Sequence, residues 1–411
     1  MKVILAAKSV YPFHPIGGVQ KCVYDFARHL KQQGVDVEIV APLDRGGKPR
    51  TEVYEGITYH LIPPAISSYL ELPVGWLGVH LFSHQLAHFL KDRSFDVLHS
   101  FDMAGLYYLN VKDHKPVIAH IFTDNYLSNP IPFWNYLSLF GINPRIIQQP
   151  KIVLSPFIDL KTKMLYPVQY LFKVRPMHRY LQGAKSIFLE DESLRPQLKE
   201  IYHIPAEKIH VVPVGVDMAY VRQRVKGSAL GRKDLDLCEN DLVLLTVNRL
   251  AADKGIDKII LALNIIRRRI PRVRLVIVGK GYQEPELRSL IVANGLGEHV
   301  RLIKDVQEED LYGYYGISDL YVCAFSFPGS SISSLEAMAA GLPIITTAQP
   351  WLVVGGNNGI SIPDNQPSTI ADAVLKLAGE DLKAKGAVSL EIAAGYDWSR
   401  IASSAIAHYC C

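Results

Sequence analysis

The chain has 411 residues, with 44 Lys and Arg against 40 Asp and Glu and a formal net charge of +4. Hydrophobic residues make up 49% and charged residues 20%, the composition of a packed globular protein, which excludes a disordered one. That length exceeds what one ordinary core accommodates, so two domains are expected.

The opening MKVILAAKSV carries too short an apolar core for a signal peptide and runs straight into strand, loop and helix. A strand over 3–7 is followed by a loop over 11–18 and then by a helix. That helix sets Val19, Cys22, Val23, Phe26, Ala27 and Leu30 on one face and stops at Gly34. Gly17 and Gly18 close the loop. Without Cβ atoms their backbone N–H groups are free to approach a phosphate or an acceptor, although a tight turn alone would also account for them. Strands continue over 35–41, 97–99, 117–121, 187–189 and 209–212.

His80, His84 and His88 fall at i, i+4 and i+8 on one helix. No Glu of an H-E-x-x-H pattern and no acidic cluster accompanies them, so an amphipathic face is the better reading and no metal is expected. His99 and His120 each end an apolar strand, where an imidazole suits a sugar hydroxyl as well as it suits a satisfied core position. The stretch 125–182 reads as an insertion. Seven cations (Arg145, Lys151, Lys161, Lys163, Lys173, Arg175 and Arg179) face one acid, Asp159, a formal +6 that leaves −2 for the remainder. Aromatics such as Trp134, Tyr136, Phe157 and Tyr170 are interleaved with them, a mixture suited to an anionic membrane surface and equally to a self-packed aromatic subdomain. Nothing in the chain resembles a nucleic-acid-binding module.

Residues 225–238, rich in Gly and charge, read as a connector, and the domain junction is expected near 215–240. A second series then alternates strand and helix from 242 to about 346, which implies parallel sheets. The strand 242–247, the polar loop 248–255 and the helix 256–269 put Arg249 and Lys254 at the carboxyl end of a strand. Open α/β sheets bind ligands there, and two cations beside helix N–H groups neutralise a diphosphate. Gly279 and Gly281 end the strand 275–278 and remove side chains where backbone comes close. The helix 332–340 opens on Gly329, Ser330, Ser331 and Ile332, whose hydroxyls and N–H groups suit an anionic or hydroxyl-rich ligand. Glu336 follows Leu335 on that helix and is expected to face the mouth of a cleft. Taken singly it would read as a solvated glutamate; the neighbouring loops give it a role.

Several chemistries are absent. There is no G-x-G-x-x-G in the first loop and no Walker A sequence, and Gly329-Ser330-Ser331-Ile332-Ser333 misses the G-x-S-x-G elbow at its last position. Cys22, Cys238, Cys323, Cys410 and Cys411 form no CxxC or disulfide framework, so a reducing compartment is expected. No uncharged apolar run is long enough to cross a membrane. The expected location is cytoplasmic, with peripheral attachment to the inner face of the cell membrane open.

The ordered set Pro15-Ile16-Gly17-Gly18-Val19, Val211-Val212-Pro213-Val214-Gly215-Val216-Asp217, Val247-Asn248-Arg249-Leu250 with Lys254-Gly255, Val278-Gly279-Lys280-Gly281 and Leu335-Glu336-Ala337-Met338-Ala339-Ala340-Gly341-Leu342-Pro343 resembles the retaining nucleotide-sugar glycosyltransferases of family 4. Tyr396-Asp397-Trp398 looks like that family's closing helix. The resemblance covers nearly the whole chain. It implies a GT-B architecture, two Rossmann-like parallel-sheet domains facing an interdomain cleft. The first domain would span 1–216 and take the acceptor, with the insertion at about 125–182. The second would span 217–394 and take the donor, and a helix over 395–411 would cross back.

The implied activity is transfer of a sugar from a UDP- or GDP-linked donor, without cofactor, to a sugar or lipid-linked acceptor. Arg249, Lys254 and His120 would be catalytic. Gly17, Gly18, Gly279, Gly281, Gly329, Ser330, Ser331, Ile332 and Glu336 would bind the donor, with Glu336 on the ribose; His99 and Asp124 would line the acceptor side. No Asp-x-Asp stands where it would obviously hold Mg²⁺ against the diphosphate, so metal-independent activity is expected. Two departures stand out. Pro328 replaces the family's Glu eight positions before Glu336, which leaves the sugar undetermined, and the family's His after the strand 117–121 is replaced by Phe122 or Thr123. A sugar-nucleotide epimerase of similar build, or a non-catalytic partner subunit that binds the nucleotide-sugar, also fits the sequence.

Overall fold

The structure is a computed structural model that describes residues 1–14, 18–43, 48–62, 75–121, 175–200, 202–326, 331–347 and 349–410. It forms two compact units, Met1–Pro213 with Ala402–Cys411, and Val214–Ile401.

The first unit is built on β1 (Lys2–Ala6), β2 (Asp36–Pro42), β3 (Arg50–Tyr54), β4 (Ile57–Ile62), β5 (Val97–Phe101), β6 (Val117–Ile121), β7 (Ser186–Leu189) and β8 (Ile209–Val211). The strand order is β3-β4-β2-β1-β5-β6-β7-β8. Val3, Ile4, Leu5 and Ala6 are all buried, as a central parallel strand covered on both faces requires. Helices α1 (Gly18–Gln32), α2 (Gly75–Leu90), α3 (Arg175–Gly183) and α4 (Arg195–Glu200) belong to this unit. In α1, Cys22, Val23, Phe26, Ala27 and Leu30 form the buried face at the expected spacing.

The sheet departs from a purely parallel one at its edge, where β3 pairs antiparallel with β4. The cause is local. Glu55 and Gly56 both take positive φ, 46° and 75°, the two-residue turn whose twist suits a hairpin.

The second unit has β9 (Leu242–Val247), β10 (Val273–Val278), β11 (Val300–Ile303), β12 (Leu320–Cys323), β13 (Ile344–Thr346) and β14 (Gly359–Ser361), in the order β11-β10-β9-β12-β13-β14. Every neighbouring pair is parallel. Around it lie α5 (Met218–Gly227), α6 (Ile256–Ile266), α7 (Glu284–Ala293), α8 (Glu308–Gly316), α9 (Ile332–Ala339), α10 (Pro367–Ala378) and α11 (Leu382–Ala394). The strand order reverses between β9 and β12. Loops diverge at such a switch point, and a crevice opens at the carboxyl ends of the two strands.

The stretch read as a connector is an ordered part of this second unit. Residues to Gly227 continue α5, and the Arg232 guanidinium pairs with Asp319 at 2.7 Å and donates to the Ile317 carbonyl at 3.1 Å. Gly and charge mimic a linker in sequence; here the charge is spent on tertiary bonds.

The last helix, α12 (Trp398–Cys410), is shared by the two units, counting with the second to Ile401 and with the first from Ala402. Its start is fixed by backbone pairing: Val216 N donates to the Tyr396 carbonyl at 2.8 Å, and Trp398 N donates to that of Val216 at 3.1 Å. The Trp398 ring lies so close over Gly215 that a Cβ there would stand 2.5 Å away, which explains a glycine in that motif. Among the described residues, no helix is long and apolar enough to cross a membrane.

Candidate functional site

The two loops of the switch point and the loop after β10 are bonded into one body. Asn248 N donates to the Val278 carbonyl and Leu250 N to that of Lys280, each at 3.0 Å. A Cβ on Gly279 would stand 1.9 Å from the Asn248 carbonyl oxygen, and one on Gly281 2.2 Å from that of Leu250. These two glycines, expected to clear space for a donor, are therefore required by the contact between loops. On the other side, Ser326 N donates to the Asp253 carbonyl at 2.9 Å. Gly255 has φ of +62°, and its missing side chain leaves room for the Ala324 carbonyl, which a Cβ would meet at 2.0 Å.

On this platform the two expected cations differ. The Arg249 side chain is exposed, and its guanidinium has no ion-pair or hydrogen-bond partner among the described residues. Lys254 is tethered: its ammonium lies 3.8 Å from the centroid of the Phe325 ring and 3.0 Å from the neighbouring Asp253 carboxylate. Tyr282, which the sequence reading passed over, stands beside them. It is 75% exposed, and its hydroxyl accepts from Ala252 N at 3.1 Å. An exposed aromatic ring is thus held by a bond to the loop between Arg249 and Lys254; its position just after Gly281 was the available signal.

Ser331 caps α9, its hydroxyl accepting from Ser334 N at 3.3 Å, and is 3% exposed, so its side chain serves the helix. Ile332 begins the helix. Gly329, Ser330 and Pro328 lie outside the described residues.

Glu336 corrects the expectation of a cleft-mouth side chain. It is 6% exposed, because α9 buries every residue from Ser334 to Ala339 rather than a single stripe. Its carboxylate is held by two tyrosines of α8: Tyr312 donates to Oε1 at 3.1 Å and Tyr315 to Oε2 at 3.0 Å. Burial, followed by the Glu336 charge, keeps the Tyr315 hydroxyl protonated far above the ordinary phenol range. Sequence reasoning missed both tyrosines, although their i, i+3 spacing on a helix is visible in Tyr312-Gly313-Tyr314-Tyr315.

In the first unit the polar groups assigned to the ligand turn inward. His99 is 0% and His120 1% exposed. His99 Nδ1 lies 2.6 Å from the Tyr409 hydroxyl, and its Nε2 lies 3.0 Å from His120 Nδ1. Phe26, Phe101 and Phe188 surround them. Burial drives the His120 pKa down to about 3; burial and then His120 lower that of His99. Two neutral rings inside a core replace the ligand-facing imidazoles expected here. His80 likewise bonds the Tyr107 hydroxyl at 3.0 Å, which accords with a packed helix face. Gly18 opens α1 and is exposed, while Gly17 and Asp124 lie outside the described residues.

Comparison with known proteins gives matches along most of the chain. Residues 16–220 match the family described as Glycosyltransferase Family 4, and residues 230–386 match Glycosyl transferases group 1. A GDP-mannose-dependent alpha-(1-6)-phosphatidylinositol monomannoside mannosyltransferase of Mycobacterium tuberculosis is 30% identical over 212 residues, 48% of this chain and 55% of that protein. The match thus spans about half the length of that relative. A phosphatidyl-myo-inositol mannosyltransferase of Mycobacterium leprae is 26% identical over 97% of this chain and 94% of its own. Among solved structures, a sucrose-phosphate synthase from Thermosynechococcus elongatus shares the fold, with a TM-score of 0.74 at 15% identity over 99% of this chain and 98% of that one.

Proposed function

Since the chain belongs to the family-4 glycosyltransferases, we propose that it moves a sugar from a nucleoside-diphosphate donor to an acceptor hydroxyl with retention at the anomeric carbon. The observation that carries this reading is Arg249, an exposed cation with no anion of its own among the described residues, standing with Lys254 at the switch point of a parallel sheet. A ligand bearing two phosphates supplies the missing partner.

The chemistry follows from charge. As the bond from anomeric carbon to phosphate oxygen breaks, negative charge grows on the diphosphate and positive charge on the sugar. Arg249 and Lys254 stabilise the first. The acceptor oxygen bonds the anomeric carbon from the face the diphosphate leaves, and its proton passes to the departing phosphate oxygen. No enzyme base is required. Glu336 is assigned to the nucleotide ribose.

The donor is proposed as GDP-mannose, on the strength of the relative named for that nucleotide-sugar. The acceptor is proposed as lipid-linked at an anionic membrane face. Both the phosphatidylinositol acceptors in the relatives' names and the formal +6 of residues 125–182, most of which lie outside the described residues, support it. Incubation with GDP-mannose, UDP-glucose and ADP-glucose, with and without lipid extract, tests the whole reading. Nucleoside-diphosphate release that needs the extract supports transfer. Donor conversion without acceptor would make the chain an epimerase, and binding without turnover would make it a partner subunit. For the membrane face, Lys161, Lys163, Lys173 and Arg175 changed together to Glu should abolish co-sedimentation with anionic liposomes at low salt.

A further inference from the structure

We propose that Tyr312 and Tyr315 are positioning residues that aim the Glu336 carboxylate at the nucleotide ribose, an inference that rests on the glycosyltransferase reading. A glutamate side chain has three rotatable bonds and in solvent would share its time among many rotamers. Here each oxygen takes one tyrosine hydroxyl, at 3.1 and 3.0 Å, so the plane of the carboxylate is fixed from one side. Tyr312 and Tyr315 are 1% and 0% exposed, so no water is at hand to replace either donor.

The pair belongs to a row of four rings. Tyr220 of α5 meets Tyr312 edge-on at 5.5 Å, Tyr312 stacks with Tyr315 at 6.1 Å, and Tyr315 stacks with Tyr321 of β12 at 6.2 Å. The hydroxyl of Tyr321 donates to Ser333 Oγ at 2.7 Å and lies 3.5 Å from Asn248 Nδ2, which joins the first turn of α9 to the loop of Arg249. The row therefore ties the Glu336 helix to the loop of Arg249.

A leucine at position 336 would have packed α9 at no electrostatic cost. A buried carboxylate must be desolvated, and its partners at best offset that penalty. Two dedicated donors make sense where the direction of the charge matters.

The test is calorimetric affinity for GDP, UDP and ADP and for their 2′-deoxy counterparts, in the wild type, Tyr312→Phe, Tyr315→Phe and Glu336→Gln. The wild type is expected to prefer the ribonucleotide of its chosen base by about tenfold or more, as one hydrogen bond to a charged group allows. Each Phe variant should bind the deoxynucleotide as the wild type does, which also reports an intact fold, while its ribose preference falls below about threefold. Glu336→Gln should behave alike. Phe variants that keep the full ribose preference overturn the proposal. A wild type that binds nucleotides but ignores the 2′-hydroxyl overturns it too, leaving the diphosphate role of Arg249 standing. A wild type that binds no nucleoside diphosphate removes the glycosyltransferase reading and this inference with it.

Discussion

Arg249→Ala separates catalysis from folding more cleanly than any other change at the site. The guanidinium is exposed and has no partner among the described residues, so its removal should alter stability by no more than about 0.5 kcal/mol. Its interaction with a diphosphate is bracketed by two limits. Opposite unit charges 4 Å apart are worth about 1 kcal/mol in water and about 4 kcal/mol at the effective dielectric of a protein surface. Losing a comparable donor in enzyme sites costs about 2.7–4 kcal/mol in the transition state. Turnover should fall at least about fivefold and as far as about a thousandfold. Lys254→Ala differs, because the ammonium also sits 3.8 Å over the Phe325 ring, a contact worth about 0.5–1 kcal/mol. That variant should lose turnover and melt lower. The assay is nucleoside-diphosphate release at saturating donor, paired with a thermal melt of each variant. Full turnover in both would refute the diphosphate role, as would an Arg249→Ala defect that simply follows a lowered melting temperature.

Gly279→Ala should destabilise the protein by about 1–3 kcal/mol and lower its melting point by several degrees, because the new Cβ meets the Asn248 carbonyl at 1.9 Å with φ at +155°. Activity should survive an excess of EDTA; a rate lost to chelator and restored by Mg²⁺ would contradict a leaving group stabilised by side-chain cations. His99 and His120 are held neutral by burial, with folded pKa values below the unfolded one, so the unfolded chain binds more protons in acid. Their contribution is complete above about pH 6.5 and is lost as pH falls from there, for His120 toward about 3 and at about 1.4 kcal/mol per pH unit. Urea titrations at pH 7 and pH 5 should find a shallower acid loss in His120→Gln than in the wild type.

How far the sequence could be read depended on the kind of physics involved. Apolar strands such as 242–247 are continuous enough to be read directly, and the cation-bearing turn after that strand follows from where strands end. The β3–β4 edge was not legible, since Arg50–Tyr54 mixes charge with alternation and its pairing is decided by two residues at positive φ. Ligand-facing and inward-facing polar groups have the same sequence signature: a polar residue beside an apolar run. His99 and His120 stand open in the sequence between a ligand and the core, and Glu336 reads as a cleft-mouth residue; all three are buried, with partners distant in sequence, Tyr409 for His99 and Tyr312 with Tyr315 for Glu336, within hydrogen-bond reach. Gly279 and Gly281 were identified as sites of close approach, but only the folded chain could say what approaches.

The helix shared by the two units has a consequence for how the protein is made. Tyr409 bonds His99, and His408 stacks on His210 with ring centroids 3.9 Å apart, so the first unit's packing includes residues that leave the ribosome after the whole second unit has been synthesised. Domains generally fold as units during synthesis, the amino-terminal one first. Here part of the core of the amino-terminal unit stays uncovered until the last turns of α12 arrive. A substitution in those turns would therefore act on the half of the protein made first.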